Sequence, residues 1–285
     1  MATHLDAILA ATRREVAARK DSADLRALER RAAEHAPRGF VRALRKAAAT
    51  GPAIIAELKK ASPSRGLIRP EFSVVPLARA LASAGAAALS VLTEEQFFQG
   101  SLANLELASA AITIPCLRKD FIVDAFQILE ARAHRADAIL LIAAALDNAA
   151  LQSLTDVAHA QGLDVLCEVH DAEEATRVLD LCILDPGADA IGVNNRNLRT
   201  FDVRLETALE LAALLPANIV RVAESGIHTA ADITRLREAG YAAFLIGESL
   251  MRQPEPGQAL QALLAEAALL GAAQHGTPAR AIAVE

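Results

Sequence analysis

The sequence predicts an α/β protein: a closed (β/α)8 barrel preceded by an N-terminal helical extension. Three observations carry that prediction. From Pro52 onward, short apolar runs recur eight times. Each run ends in a polar or small residue. A helical pattern of apolar spacing follows each one. Strands that alternate with helices form βαβ units and a parallel sheet. Eight such units in about 220 residues close on themselves as a TIM barrel. An apolar content of 53% is ample for so large a core, and much of it is Ala, which favours helices. The alternative is a doubly wound open sheet. It calls for fewer strands and a Gly-x-Gly-x-x-Gly first turn, which is absent.

The elements follow in order. Residues 4–47 read as helical, with Leu5, Ile8, Leu9 and Val16, then Leu25 and Leu28, then Phe40, Val41 and Leu44 at helical spacing. Pro37-Arg38-Gly39 interrupts them. This extension is expected to cover the bottom or flank of the barrel. The apolar runs are 53–58, 86–92, 114–117, 138–143, 164–167, 189–193, 219–223 and 242–246. Helical patterns lie at about 75–84, 101–111, 124–135, 147–161, 171–182, 202–215, 229–239 and 256–270. Asp147 and Asp171 suit N-caps. Gly85, Gly162 and Gly240 suit left-handed helix ends. From Gly271 no period is visible. One domain over 1–270 and a flexible tail over 271–285 are therefore expected.

Several function classes drop out. The net charge of −6 offers no basic footprint for nucleic acid. No apolar run approaches the roughly 20 residues of a membrane span. The start of the chain lacks a signal peptide's charged-then-apolar layout. The three cysteines, Cys116, Cys167 and Cys182, are odd in number and lack metal spacing; they read as reduced core residues of a cytoplasmic protein. No metal is expected. A monomer is expected, with a homodimer as the alternative.

The chemistry concentrates at the strand ends. Along the first run, Ile55, Glu57 and Lys59 share one face, and Ile54, Ala56 and Leu58 the other. A Glu and a Lys at the mouth of a buried strand must pair. Charged ends fall on the first, third, fifth and seventh runs, as Glu57 with Lys59, Lys119, Glu168 and Glu224. Alternate strands fill one interior layer of such a barrel, so these groups should face one another. Their pKa values should be displaced and coupled, which supplies a proton donor and an acceptor near neutral pH. The alternative is a structural ion-pair cluster sealing the barrel.

Beside this rim, Ser225-Gly226 after the seventh run and Gly247-Glu248 after the eighth suit an anion site. Small residues there let backbone N–H groups approach a phosphate, and a short helix starts at Gly247-Glu248-Ser249-Leu250. Ser62 adds a hydroxyl. After the sixth run, Asn194 is expected to point inward, and Arg196 suits two-point contact with a carboxylate. Asn195 and Asn197 read as turn formers. Phe97, Phe98 and Phe121, with Leu140 and Ile142, could wall a slot for a flat ring. His170 follows the fifth run; a surface or capping role is expected, with contact to the site as the alternative.

These motifs resemble the indole-3-glycerol phosphate synthase family. The first-strand segment Ile55-Ala56-Glu57-Leu58-Lys59-Lys60-Ala61-Ser62-Pro63-Ser64 carries the resemblance. So do Leu117-Arg118-Lys119-Asp120-Phe121-Ile122, Cys167-Glu168-Val169-His170, Gly192-Val193-Asn194-Asn195-Arg196-Asn197-Leu198, Ala223-Glu224-Ser225-Gly226-Ile227 and Leu245-Ile246-Gly247-Glu248-Ser249. It spans about residues 4–270, with Leu58 and Arg65 as mild variants.

The resemblance implies a small phosphorylated substrate, 1-(2-carboxyphenylamino)-1-deoxyribulose 5-phosphate, converted to indole-3-glycerol phosphate, carbon dioxide and water without a cofactor. It implies Lys119 as general acid at the ketone oxygen, with Glu168 as acid/base partner for loss of the hydroxyl. Lys59, held by Glu57, would contact the substrate carboxylate or serve the dehydration. Asn194, Arg196 and Glu224 would position the substrate. Ser62, Ser225, Gly226, Gly247 and Glu248 would cradle the phosphate, with the ring against Phe98 and Phe121. Two rivals are a non-catalytic phosphosugar-binding barrel and a sister enzyme such as phosphoribosylanthranilate isomerase. The latter needs a Cys/Asp pair, and Cys116 lies mid-strand.

Overall fold

The structure, a computed structural model, describes residues 4–181, 190–197 and 200–274. The expectations for Cys182, Leu198 and residues 275–285 lie outside the described residues. Eight strands close a parallel barrel: β1 (Ala53–Leu58), β2 (Ala88–Leu92), β3 (Cys116–Lys119), β4 (Ala138–Ile142), β5 (Asp164–Val169), β6 (Ala190–Asn194), β7 (Val220–Glu224) and β8 (Ala243–Ile246). Each pairs with the next, and β8 returns to β1.

The two-residue period of each strand sorts its side chains. Ile55, Leu117, Leu140, Leu166, Val222 and Leu245 fill the barrel interior. Their neighbours Ile54, Cys116, Ile139, Val165, Ala223 and Phe244 pack outward against the helices. Both sets are apolar, so each strand reads as an unbroken apolar run. The reading fails only at the ends. β3 begins and ends two residues later than the predicted run, because its last two residues are Arg118 and Lys119. Arg118 is 1% exposed. Its guanidinium bonds to Asp120, Thr93 Oγ1 and the Gln127 carbonyl, which lets a charge sit between strand and helix. β5 likewise runs on through Glu168.

The outer helices are α4 (Val74–Ser83), α5 (Leu102–Ala111), α6 (Ala125–Ala133), α7 (Asn148–Ala160), α8 (Ala172–Asp180), α9 (Glu206–Leu211), α10 (Ala230–Glu238), the short α11 (Glu248–Met251) and α12 (Pro256–Gln274). Asp147 and Asp171 cap α7 and α8 by accepting backbone N–H bonds. Gly85, Gly162 and Gly240 follow helix ends with φ of +100°, +71° and +95°. α9 is shorter than the predicted 202–215, because Val203 forms a bridge with Arg196 instead. α12 continues to Gln274, four residues past the expected boundary at 270. Among the described residues, no helix is long and apolar enough to cross a membrane.

Three helices precede the barrel: α1 (His4–Ser22), α2 (Leu25–Ala33) and α3 (Phe40–Ala48). Phe40, Val41 and Leu44 on one face of α3 join the interior side chains and plug the bottom. Asp137, wholly buried, holds the approach to α3. It accepts from the Arg38 backbone and guanidinium, from the Cys116 N–H and from His35. Burial alone would raise its pKa; the His35 and Arg38 contacts outweigh that and lower it. The start of α1 reaches the opposite, C-terminal mouth, while Arg19 and Lys20 in its last turn pair with Glu130 and Asp124 of the α6 region.

Candidate active site

The period that sends Ile55 into the barrel also sends Glu57 there, two residues on. The same step carries Leu117 to Lys119, Leu166 to Glu168 and Val222 to Glu224. These four strands alternate around the barrel, so their ends meet in one layer at the mouth. The three glutamates are each at most 2% exposed. Lys119 Nζ lies 3.0 Å from Glu168 Oε2 and 3.5 Å from Glu224 Oε2. Lys59, one step higher, holds Glu57 Oε1 at 2.5 Å. The intervening strands make room. A Cβ on Gly192 would collide with Glu224 Oε1, and one on Gly247 would stand 2.5 Å from Glu57 Oε1. A glycine on β6 and one at the end of β8 are thus what admits two carboxylates to the rim.

Burial acts on Lys119, Glu168 and Glu224, and neighbours decide the outcome. Burial alone would lower the Lys119 pKa, but Glu168, Glu224 and Glu57 raise it, so the ammonium is held. Burial alone would raise the Glu168 pKa, but Lys119 and His170 hold it well below the ordinary carboxyl range. Glu224 goes the other way. Burial and the Glu168 charge outweigh Lys119 and push its carboxyl up to about 8. One acid and one carboxylate therefore flank one ammonium.

A pocket opens above this layer. Lys59, Ser62, Asn194, Arg196, Ser225, Gly226, Gly247 and Glu248 line it, as do Phe98, Phe121, Leu140 and Ile142. The Phe98 and Phe121 rings lie 6.2 Å apart; Phe97 is not part of the lining. Glu94 explains the aromatic placement, since its buried carboxylate accepts the N–H groups of Gln96, Phe97 and Phe98. Ser62 Oγ is buried without a hydrogen-bond partner. Ser225 and Gly226 both have positive φ, +65° and +76°, a sharp turn that a serine adopts only under constraint. The Glu248 side chain turns to Arg65, Arg252 and Arg196 at 3.2, 3.1 and 3.7 Å. Asn194 Oδ1 accepts the Arg196 N–H at 3.0 Å.

Sequence reasoning missed three features. His4, Leu5 and Ile8 of α1 line the pocket; the Leu5 and Ile8 spacing signals only an amphipathic helix. Asn195, read as a turn former, is 1% exposed and bridges Ser225 O to the N–H of Ala208. His170, expected as a surface or capping residue, has Nε2 only 3.2 Å from Glu168 Oε1. The Asn195 partners lie on other elements and leave no local signal, whereas the His170 partners are near in sequence, Glu168 two residues before it and Glu174 four after.

Comparison with known proteins agrees with this geometry. A family model described as indole-3-glycerol phosphate synthase matches residues 5–263. A protein of that name from Koribacter versatilis is 60% identical over 264 residues, covering 93% of this chain and all of its own length. Another, from Burkholderia vietnamiensis, is 54% identical over 91% of this chain and 98% of its own. Among solved structures, a mandelate oxidase mutant aligns with a TM-score of 0.59 over 85% of this chain and 89% of that one; at 16% identity it shows a shared fold alone. The chain belongs to the indole-3-glycerol phosphate synthase family.

Proposed function

We propose that the charged rim and the pocket above it divide the labour of this family's reaction among named residues. The protein is a carboxy-lyase of tryptophan biosynthesis. It closes the indole ring of indole-3-glycerol phosphate from 1-(2-carboxyphenylamino)-1-deoxyribulose 5-phosphate, releasing carbon dioxide and water. In the first step the ring carbon bearing the carboxylate attacks the ketone carbon. Lys119 gives its proton to the ketone oxygen as charge develops there. The carboxylate then leaves as carbon dioxide, and its bonding pair restores the aromatic ring. The hydroxyl finally departs as water, while the methylene beside nitrogen loses a proton. Glu168 is the acid/base partner for that loss, and Glu224 positions the substrate with a proton available.

Lys59, held by Glu57, meets the substrate carboxylate or serves the dehydration; Arg196 adds a second cation, set by Asn194. Ser62, Ser225, Gly226, Gly247 and the backbone of Glu248 take the phosphate. Phe98, Phe121, Leu140 and Ile142 hold the anthranilate ring, which presses the reacting carbons together. Every charged group of the rim comes from one chain, so this reading needs no second copy. A free, buried thiol at Cys116 supports a cytoplasmic setting. We read the barrel and its N-terminal helices as one domain.

One observation carries the assignment: the Lys119 ammonium stands 3.0 Å from Glu168 and 3.5 Å from Glu224, beneath an apolar slot. The test is to incubate the protein with the carboxyphenylamino substrate and follow indole fluorescence. The chain has no Trp, so the background is low. Absence of signal at micromolar enzyme would remove the reading.

A further inference from the structure

Glu168 and Glu224 share Lys119 between them, yet they differ in charge. Lys119 contributes to this, since it hydrogen-bonds Glu168 at 3.0 Å and stands 3.5 Å from Glu224. The asymmetry also has a source outside the pocket. His170 is absent from the lining. Its Nε2 stands 3.2 Å from Glu168 Oε1, the oxygen that Lys119 does not take. Its Nδ1 stands 3.1 Å from Glu174 Oε2.

A neutral imidazole donates from one nitrogen only and would aim the other lone pair at a carboxylate. With a carboxylate at each nitrogen, the ring is an imidazolium. The Nε2 contact is poorly aligned for a hydrogen bond, so it acts chiefly as a contact between charges. Glu174 is fixed in turn. It sits in the first turn of α8, and its Oε2 also accepts the His170 backbone N–H at 2.8 Å.

We infer that His170, held by Glu174, is a positioning residue that keeps Glu168 ionised and leaves the shared proton on Glu224. The inference rests on the residue roles proposed above. The groups acting on Glu168 are Lys119 from β3, Glu224 from β7 and His170 beyond its own strand; Glu57 from β1 acts on Lys119 and Glu224. The imidazolium favours Glu168 over Glu224, adding to the Lys119 hydrogen bond that goes to Glu168 and to the Glu57 charge that acts on Glu224. Burial would lower the His170 pKa, but Glu168 and Glu174 together push it up to about 10, so the cation persists through the neutral range. Two carboxyl groups with separated titrations are the arrangement that lets one accept a proton while the other donates.

The experiment compares kcat/KM against pH for the unsubstituted protein, His170→Asn and Glu174→Gln. The acid limb reports protonation of the essential base in the free enzyme. In His170→Asn that limb should move up by about one unit or more, a roughly tenfold loss on the acid side with smaller loss above it. Glu174→Gln retains the ring and a backbone acceptor, and should move the limb in the same direction by less. A uniform fall in kcat at every pH, with the limb unmoved in both variants, overturns the inference and leaves His170 a packing residue. Unchanged kinetics overturn it as well. If His170→Asn does not fold, Glu174→Gln alone decides on the same criterion. Failure of the unsubstituted protein to form indole product would instead strike the underlying roles, so the two failures are distinguishable.

Discussion

Gly247→Ala isolates the geometry on which the rim depends. Gly247 has φ of −125°, outside the left-handed region, so an added methyl carries no left-handed strain and acts through contact. The new Cβ would stand 2.5 Å from Glu57 Oε1 and 2.9 Å from Glu57 Cβ. Ordinary contact begins near 3.4 Å, so the carboxylate oxygen must retreat by about 0.9 Å and the Cβ by about 0.5 Å. Rotation of the side chain relieves the first contact. It cannot relieve the second, because Cβ moves only with the backbone of β1. The strand end that carries both Glu57 and Lys59 must therefore shift. Overpacking of this kind costs roughly 1–3 kcal/mol of stability. A displacement near 1 Å at reacting groups costs on the order of 10²-fold in rate. The expected result is a kcat lowered by about that factor, with KM changed only a few-fold and a modest fall in the thermal midpoint. Fluorescence-monitored kinetics and a thermal melt measure both. A kcat within twofold of the unsubstituted protein would refute the steric argument. A large rise in KM at unchanged kcat would show that the space belongs to the phosphate and not to Glu57.

Lys119→Met should abolish ring closure, a loss on the order of 10²-fold or more, while affinity for the phosphate persists; near-normal turnover would move the acid role to Lys59. Glu224 is neutral below about 8 and ionises above it, so kcat/KM should fall as pH rises through that value, and Glu224→Gln should lack that alkaline limb at a lower overall rate. Ser225→Asp should raise KM by like-charge repulsion, and an unchanged KM would place the phosphate elsewhere. Asp137→Ala strands buried cationic donors and should cost about 3–5 kcal/mol, read from denaturant unfolding. Because the folded-state carboxyl of Asp137 is held low, its contribution is present at neutral pH and lost as pH falls below about 4.

The barrel is legible because hydrophobic period alone specifies it. Each strand carries one apolar set inward and one outward, so runs such as Ile54-Ile55-Ala56 and Ile139-Leu140-Leu141 announce themselves without tertiary information. The rim is legible for the same reason: it is the first place on each inward face where the apolar pattern stops. Contacts made by a single side chain across sequence distance are not legible. Leu5 and Ile8 carry the same helical spacing whether α1 covers the mouth or the flank. Gly192 falls inside the sixth apolar run with no local reason to be glycine, and its reason lies on β7, where Glu224 needs the space. His170 is different: its partners Glu168 and Glu174 stand two residues before it and four after, so its contacts are local, but the capping context of Asp171 after it offers a competing reading. Arg118 breaks an apolar run and hides the end of β3, since its partners Asp120, Thr93 and Gln127 come from the strand end, the loop after β2 and the first turn of α6.

Two buried charge clusters lie at opposite ends of the barrel, and their hydrogen-bond accounting separates them. At the bottom, the Asp137 oxygens accept from the Arg38 backbone, Nε and Nη2, from His35 and from the Cys116 N–H. Both oxygens are saturated, so this cluster can only hold structure together. At the mouth, Glu224 Oε1 and Ser62 Oγ are buried with no hydrogen-bond partner. An unsatisfied buried oxygen costs about 1–3 kcal/mol, and a barrel sealed merely by ion pairs would gain by filling the gap with an apolar side chain. The rim instead carries that cost at the point where the pocket meets the charged layer. This contrast, more than the number of charges, argues that the mouth is built to be completed by a substrate, whereas the bottom is complete in itself.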